Sequence, residues 1–324
     1  MSINPSHSHW DDQAPILYRC DTQTLSNRVI WRFFSIIIFP IVLYELFHRI
    51  IGTLVIVASK TPKAECTELR KKITPGKKFQ YTRVIIETNG LKIDTVVIKN
   101  QKTPFKNRWV VFSGGSGTPY EKFLSDNKFE PLLEELNANG ITFNYPGVGR
   151  SSGYATRPGM LDALNGVVNW VKEHKGVFII IGFSIGGGIV SDLPYQEEAL
   201  RILDRTFADF SNTVATSTNS KLLKIVAIIS GWNIRPIASL TNQSPRAIIL
   251  QSAKDLNHEE ISDKSSIVHD TEIHEDDSLA AHFLALKAET QSPHLAIGIK
   301  DDHSFGWTEP AGLSRLIKKT INWQ

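Results

Sequence analysis

The stretch that decides the fold is Val177–Gly188, VFIIIGFSIGGG. Its first five residues are apolar and mostly β-branched, which predicts a buried strand. Ser184 follows in the pattern Gly182–Gly186, GFSIG, and further glycines open a helical pattern. A sharp turn from strand to helix requires small residues two positions before and two positions after the serine. The sequence therefore predicts a nucleophile elbow with Ser184 as the nucleophile.

Short apolar strands alternate with helical patterns around this turn. Such alternation predicts an α/β protein with a mostly parallel sheet and helices on both faces, the α/β-hydrolase fold when it contains the elbow. Asn89-Gly90 between two β-branched runs predicts an initial hairpin. Residues 222–230 fit either a helix or a strand, and residues 207–219, rich in Ser, Thr and Asn, predict partly irregular structure. Strands are predicted at 83–87, 91–98, 109–112, 141–143, 177–181, 199–203, 247–250 and 294–299, with helices at 120–137, 160–173, 278–287 and 311–322.

An apolar helical segment, residues 29–58, precedes the predicted sheet. Its longest uncharged stretch, residues 33–44, is shorter than the roughly 20 residues of a spanning helix, and Pro40 removes a backbone donor. Three interpretations stay open: a helix or hairpin in a membrane interface, a helix packed on the domain, and a single span. We assign residues 1–60 to a tail and this segment, the polar residues 61–79 to a linker, and residues 80–324 to a catalytic domain.

Composition narrows the function classes. The net charge is +3 over 324 residues and no basic stripe is evident, so we expect no nucleic-acid partner. Cys20 and Cys66 stand in unrelated contexts, which argues against a disulfide framework and fits a reducing compartment. The first residues lack the basic start and apolar core of a signal peptide, so we expect a cytoplasmic or peripheral membrane location.

Two backbone N–H groups are candidates for an oxyanion hole. One belongs to Ile185, directly after the nucleophile. The other should come from the loop after the third strand, 113–117, SGGSG, where Gly115 is the first candidate and Gly114 the second. A phosphate-binding loop is the alternative, but no Gly-Lys-Ser/Thr follows.

The general base is expected late in the chain, because the order in this fold is Ser, acid, His. His303 alone among the ten histidines follows the last predicted strand, within residues 301–306, DDHSFG. A histidine on such a loop can face the elbow across the sheet edge. The alternative is an ordinary solvated loop histidine.

The acid should lie on the loop after the strand at 247–250, where a carboxylate would orient the imidazole. Asp270 is favoured because it stands nearer to His303 and before a helix. Asp255, closer to the strand, is the alternative. The remaining histidines, including His269, His274 and His282, show no helical ligand spacing, so we expect neither a metal site nor a cofactor.

Several stretches together carry a family resemblance. They are the apolar segment, residues 144–149 (NYPGVG), the elbow, residues 204–207 (DRTF) and residues 230–233 (SGWN). In combination they resemble the chlamydial CHLPS family and the related SidB-type proteins of Legionella. The resemblance implies a bacterial protein of a kind delivered into host cells by a non-classical route, with lipase, esterase or thioesterase chemistry. Asn144 stands where many α/β hydrolases have an acidic residue that is not catalytic.

Two functions follow as hypotheses. The first is a serine hydrolase that cleaves an ester or thioester of a small-molecule or lipid-like acyl substrate through Ser184, His303 and Asp270. The second is a catalytically idle α/β-hydrolase domain that serves as a membrane-docked binding or effector module. The intact Ser/His pair favours the hydrolase.

Overall fold

The structure is a computed structural model, and it describes most of the chain. The described residues are 16–20, 39–241, 247–270, 272–287, 293–301, 307 and 309–322. The predicted base, His303, lies outside them.

The described residues contain one ten-stranded sheet in the order β1-β2-β3-β5-β4-β6-β7-β8-β10-β9. The strands from β5 across to β10 pair in parallel, whereas β3 and β9 run antiparallel to their neighbours. The strands are β1 (Ile16–Cys20), β2 (Phe79–Thr88), β3 (Leu91–Asn100), β4 (Arg108–Ser113), β5 (Asn139–Phe143), β6 (Val177–Phe183), β7 (Leu200–Asp204), β8 (Ala247–Ser252), β9 (Glu259–Glu260) and β10 (Leu295–Ile299). The predicted mostly parallel sheet is confirmed.

Helices cover both faces of this sheet, because the buried strands carry apolar side chains on both sides. In β6, Ile180 joins one apolar cluster, while Ile179 and Ile181 join the cluster on the opposite face. The described helices are α1 (Phe39–Val55), α2 (Lys63–Lys72), α3 (Tyr120–Ser125), α4 (Glu130–Leu136), α5 (Arg157–Glu173), α6 (Ile185–Asp192), α7 (Phe210–Thr218), α8 (Lys221–Ile229), α9 (Pro236–Thr241), α10 (Leu279–Lys287) and α11 (Pro310–Ile321). The predicted helix at 120–137 is two short helices, α3 and α4.

Residues 61–79, assigned to a linker for their polar composition, contain the helix α2. Arg70 on that helix is fully buried and makes ion pairs with Asp94 of β3, at 3.1 Å, and with Glu121 of α3. Arg83 of β2 reaches the other oxygen of Asp94 at 2.6 Å. The segment is therefore a packed part of the domain, because its buried guanidinium neutralises carboxylates from two other elements.

Asn144 belongs to the same buried network. Its amide nitrogen donates to Glu121 at 2.9 Å, and its amide oxygen accepts the backbone N–H of Tyr120. The network already pairs Arg70 and Arg83 with two carboxylates, so an acid at position 144 would add an unbalanced buried charge. Burial raises the pKa of Glu121, and the neighbouring Arg70 opposes that rise. An amide at position 144 therefore suits this arrangement.

The N-terminal region contributes two elements. Strand β1 pairs in parallel with β2, with Ile16 opposite Val84. The described part of the apolar segment is the helix α1, whose Gly52 packs so closely that an added Cβ would lie 1.8 Å from the carbonyl oxygen of Ala155. Among the described residues, no helix has both the length and the apolar character needed to cross a membrane.

Candidate active site

Ser184 lies at the carboxyl end of β6, directly before α6. Its backbone has φ 54° and ψ −121°, a conformation that L-residues rarely adopt. The Ser184 N–H donates to the carbonyl of Asp204 at 2.9 Å, and its own carbonyl accepts the Gly187 N–H at 3.0 Å. These bonds hold the strained turn in place, and strain of this kind is concentrated at functional sites. The predicted sharp turn from strand to helix is present at Ser184, and the role of Ser184 as a nucleophile stays a prediction.

The glycines around Ser184 are required by close backbone approach. A Cβ on Gly182 would lie 2.5 Å from the carbonyl oxygen of Gly186. A Cβ on Gly186 would lie 2.2 Å from the carbonyl oxygen of Ser113. On Gly187 it would lie 1.9 Å from the hydroxyl of Thr206, which also donates to the Ser184 carbonyl at 3.2 Å. The small residues two before and two after the serine are therefore sterically necessary.

Replacing Gly186 with alanine is expected to destabilise the protein by about 1 kcal/mol. Alanine in a helix normally gains up to about 1 kcal/mol over glycine. Here its methyl group would clash with backbone oxygens of the 113–114 turn, and overpacking of this kind costs about 1–3 kcal/mol before the helix gain is counted. Urea unfolding measures the difference. The matched control is Gly117→Ala, since no heavy atom lies within 4 Å of a Cβ there; equal midpoints for both variants would contradict the clash.

The glycine loop after β4 is held on two sides. The phenol of Tyr145 donates to the carbonyl of Gly114 at 2.6 Å and accepts the hydroxyl of Ser113, 2.8 Å away. Because the C=O and N–H of a trans peptide point in opposite directions, this bond fixes the direction of the Gly115 N–H. On the other side, Ala58 donates its N–H to the carbonyl of Ser116 at 2.8 Å.

Sequence reasoning missed the contact that Tyr145 makes with the glycine loop. Tyr145 is buried, and burial raises its pKa, so the phenol stays a neutral donor. Its sequence signal was present in the NYPGVG stretch, but only the order β5-β4-β6 places the end of β5 beside the glycine loop. Ile185, the other expected donor, is buried at the first position of α6, where backbone N–H groups have no partner within the helix.

A buried ion pair lies behind the elbow. Arg205 donates to both oxygens of Asp204, at 2.8 Å and 2.9 Å, and its guanidinium lies 4.9 Å from the ring centroid of Phe183. Burial alone lowers the pKa of Arg205, but the charges of Asp204, Asp301 and Asp270 outweigh it and raise that pKa. The DRTF stretch thus places a permanent cation near the loop that carries Asp270.

The described residues on either side of His303 make hydrogen bonds at the carboxyl ends of two strands of the sheet. On one side, the carbonyl of Asp301 accepts the hydroxyl of Ser252 at 2.7 Å. On the other, the indole of Trp307 donates to the carboxylate of Asp204 at 3.0 Å. Asp204 is the residue whose carbonyl accepts the Ser184 N–H. The described residues that flank positions 302–306 are thus bonded to Ser252 at the end of β8 and to Asp204 at the end of β7, while His303 itself lies outside the described residues.

The two acid candidates have different environments. Asp270 is buried, and its Oδ1 accepts the backbone N–H groups of Glu272 at 3.0 Å and Ile273 at 2.6 Å. Asp255 is exposed, at a turn position with φ 60°. A triad acid is normally buried and hydrogen-bonded. Asp270 has these properties and Asp255 does not.

The segment around Asp270 brings together three side chains that sequence spacing did not connect. Nδ1 of His269 lies 3.9 Å from Glu275, and Nδ1 of His274 lies 3.8 Å from the same carboxylate oxygen. All three are at least partly exposed, and Lys264 pairs with the adjacent Asp276 at 2.7 Å. The expectation that the protein has no metal site or cofactor stays a prediction.

The chain matches one protein family over nearly its whole length. The family model described as Chlamydia CHLPS protein (DUF818) aligns with residues 4–304. The chain belongs to this family. The predicted family resemblance is therefore confirmed.

Curated relatives match the CHLPS-family chain over shorter stretches of sequence. A protein of Acanthamoeba polyphaga mimivirus that is named an alpha/beta hydrolase (L404) is 28% identical over 123 residues, 36% of this chain and 46% of that protein. YfhR of Escherichia coli K12, named uncharacterized, is 34% identical over 87 residues, 24% of this chain and 31% of that protein. The chain thus spans less than half the length of these relatives.

Solved structures identify the fold of the CHLPS-family chain. The esterase Pf2001 of Pyrococcus furiosus has a TM-score of 0.55 at 14% identity, over 75% of this chain and 92% of its own. An alpha-beta hydrolase of Vibrio vulnificus has a TM-score of 0.55 at 14% identity, over 97% and 98%. Prolyl oligopeptidase B of Galerina marginata has a TM-score of 0.52 at 15% identity, over 77% and 38%. At such identities the likeness shows the α/β-hydrolase fold alone.

Proposed function

We propose that the chain is a serine hydrolase that cleaves a carboxylic ester or thioester of a lipid-like acyl substrate. Ser184 is the nucleophile, His303 the general base and Asp270 the acid. The observation that carries the proposal is the backbone of Ser184, held at φ 54° between β6 and α6. Glycine would adopt that conformation more easily than serine. A strained hydroxyl at a strand end is the arrangement that acyl transfer uses.

The first half of the reaction forms an acyl-enzyme. His303 takes the hydroxyl proton as Oγ of Ser184 attacks the carbonyl carbon of the substrate. The N–H groups of Ile185 and Gly115 stabilise the oxyanion, and Tyr145 keeps the latter aimed through its bond to Gly114. The bond to the leaving alcohol or thiol then breaks, and that group takes the proton from His303.

The second half consumes water. His303 removes a proton from a water molecule, which attacks the acyl carbon, and the tetrahedral intermediate collapses to the carboxylic acid and the free Ser184 hydroxyl. Asp270 stabilises the imidazolium in both halves. Arg205 supplies a positive charge close enough to Asp270 to interact with it electrostatically.

A fluorophosphonate probe tests this assignment. Its phosphorus is attacked by an activated serine, fluoride leaves, and a stable phosphonyl-serine remains. We expect one adduct, on the tryptic peptide 176–201, which contains both Ser184 and Ser191. Ser191 is the matched control, since it lies in the same peptide, on α6, with its hydroxyl bonded to the Gly188 carbonyl at 2.6 Å.

The outcome separates the two hypotheses. Labelling should persist in Ser191→Ala and vanish in Ser184→Ala. Folded protein that takes up no probe at all would refute the hydrolase and favour the idle module. Turnover of a panel of p-nitrophenyl esters and acyl thioesters then distinguishes the two bond types.

A further inference from the structure

The helix α8 presents its large apolar side chains to solvent. Leu222, Ile225 and Ile229 are 68%, 52% and 61% exposed, and Ala227 is the one member of the helix that is buried. An amphipathic helix on a protein surface normally directs such residues inward. Here the one buried residue is the smallest apolar side chain, so the exposed stripe is free to contact a partner outside the domain.

The helix α1 adds a second exposed stripe beside the first. Leu43, Leu46, Ile50 and Leu54, spaced three or four residues apart, are exposed by 48% to 57%. The helices meet where His48 of α1 lies against the end of α8, with its Cε1 3.6 Å from the Cβ position of Gly231. We call the stripes together the apolar surface, defined by Leu43, Leu46, Ile50 and Leu54 of α1 and Leu222, Ile225 and Ile229 of α8.

Cationic residues border this surface. Residues 219–235 contain Lys221, Lys224 and Arg235 and no acid, and Arg235 pairs with Asp209 at 3.2 Å. The described helix α1 carries the exposed Arg49 and one acid, Glu45. Glu45 accepts a hydrogen bond from Tyr154 at 3.2 Å. Exposed aliphatic side chains flanked by cations match an anionic bilayer, whose headgroups attract the cations while the aliphatic groups enter the interface. A second copy of the chain would instead bring like charges together.

The apolar surface is connected to the candidate active site. The chain leaves α1 through residues 57–60, where the Ala58 N–H bonds to Ser116 of the glycine loop at 2.8 Å. After α8, Ile234 packs over the elbow helix, with its Cγ2 2.8 Å from the Cβ position of Gly188. The α1 side of the surface is thus bonded to the glycine loop, which carries the candidate donor Gly115. The α8 side is in contact with α6, which follows Ser184 directly.

We propose that the apolar surface docks on an anionic lipid bilayer and presents the Ser184 site to acyl lipids held there. The substrate part rests on the proposed function, whereas the docking stands on the exposed side chains and charges. The location of the chain is then peripheral, at a membrane surface.

Vesicle flotation of the full chain tests the docking. We expect the parent to float with phosphatidylcholine vesicles that contain phosphatidylserine, and less with phosphatidylcholine alone. Leu222→Gln, Ile225→Gln and Ile229→Gln combined should weaken binding about a hundredfold, because three aliphatic groups no longer leave water. The matched control is Tyr195→Gln, since Tyr195 is 59% exposed and follows α6; it should float like the parent.

A charge variant gives an independent measurement. Lys221→Glu with Lys224→Glu leaves the aliphatic residues in place and should weaken binding to anionic vesicles by about tenfold or more. It should leave binding to phosphatidylcholine alone unchanged. If all these variants float like the parent, or if the parent binds no vesicle, the docking is refuted. A parent dimer in light scattering that the glutamine variant abolishes would also refute it, since a second copy would then be the occupant.

Activity assays separate this inference from the proposed function. The glutamine variant should hydrolyse a water-soluble short-chain ester like the parent but lose activity on acyl lipid in vesicles. Docking without hydrolysis of either substrate would refute the proposed function and leave the docking intact. Equal loss on both substrates would refute the claim that the surface acts by presenting lipid.

Discussion

Replacing Ser184 with alanine is expected to lower kcat for ester hydrolysis by about ten-thousandfold or more. The acyl-enzyme cannot form without the hydroxyl, and loss of a serine nucleophile has effects of this size. The alanine variant should unfold at the same urea concentration as the parent, because alanine keeps the strained φ of 54°. Steady-state kinetics with a short-chain ester and urea unfolding give the two numbers.

The glycine variant makes this prediction sharper. Ser184→Gly should also lose activity, yet it should stabilise the fold by about 1 kcal/mol. A strained conformation of this kind costs about 1–3 kcal/mol, and glycine removes most of that strain. Part of the gain is offset, because glycine makes the unfolded chain more flexible and so lowers its free energy. A gain in stability with a loss of activity is what a residue retained for chemistry should show. Activity within tenfold of the parent in either variant would refute the nucleophile assignment.

Replacing Asp270 with asparagine should lower kcat by about a thousandfold to ten-thousandfold, because a neutral amide cannot stabilise the imidazolium. The amide oxygen can still accept the N–H groups of Glu272 and Ile273, so the turn is preserved. We therefore expect a stability change within about 1 kcal/mol. The kinetic loss then reports the missing charge and not a disordered loop.

The comparison variant is Asp255→Asn. Asp255 is exposed with φ 60°, a conformation that asparagine tolerates at least as well as aspartate. Its kcat and its urea midpoint should match those of the parent. A larger loss of kcat in this variant than in Asp270→Asn would reverse the assignment of the acid.

The elbow could be read from the sequence because its chemistry is local. Gly182 and Gly186 stand within two residues of Ser184, and the steric need for them arises inside that short stretch. The strand VFIII before them and the alternation of strands with helices then give the sheet. The hairpin at Asn89-Gly90 was equally local, and both residues have positive φ in the structure.

The features that sequence analysis missed depend on distant partners. The bond from Tyr145 to Gly114 joins residues 31 positions apart, and that from Trp307 to Asp204 joins residues 103 apart. Only the strand order brings these pairs together. The Lys-rich composition of residues 61–79 likewise predicted a linker. Composition could not reveal that this segment is packed, because the partners of Arg70 lie on other elements.

Composition also misled at residues 207–219, where Ser, Thr and Asn predicted partly irregular structure. Residues 210–218 of this stretch form the helix α7. The side chain of Asp209 stabilises its first turn by accepting the Asn212 N–H at 3.2 Å. The neighbouring residues 222–230 fitted a helix or a strand equally. The structure places the helix α8 there, with an apolar stripe that the binary pattern alone could not assign to core or solvent.

The burial of Arg70 sets a limit on how the chain can be shortened. A version that starts at Lys78 would lack this guanidinium, leaving the buried Glu121 without its cation and Asp94 with Arg83 alone, a defect of about 3–5 kcal/mol. It would also remove β1 and expose the edge of β2, FQYTRVIIET, to pairing between molecules. Expression trials of such truncations should therefore yield aggregates, and domain dissection by deletion is unsuited to this architecture.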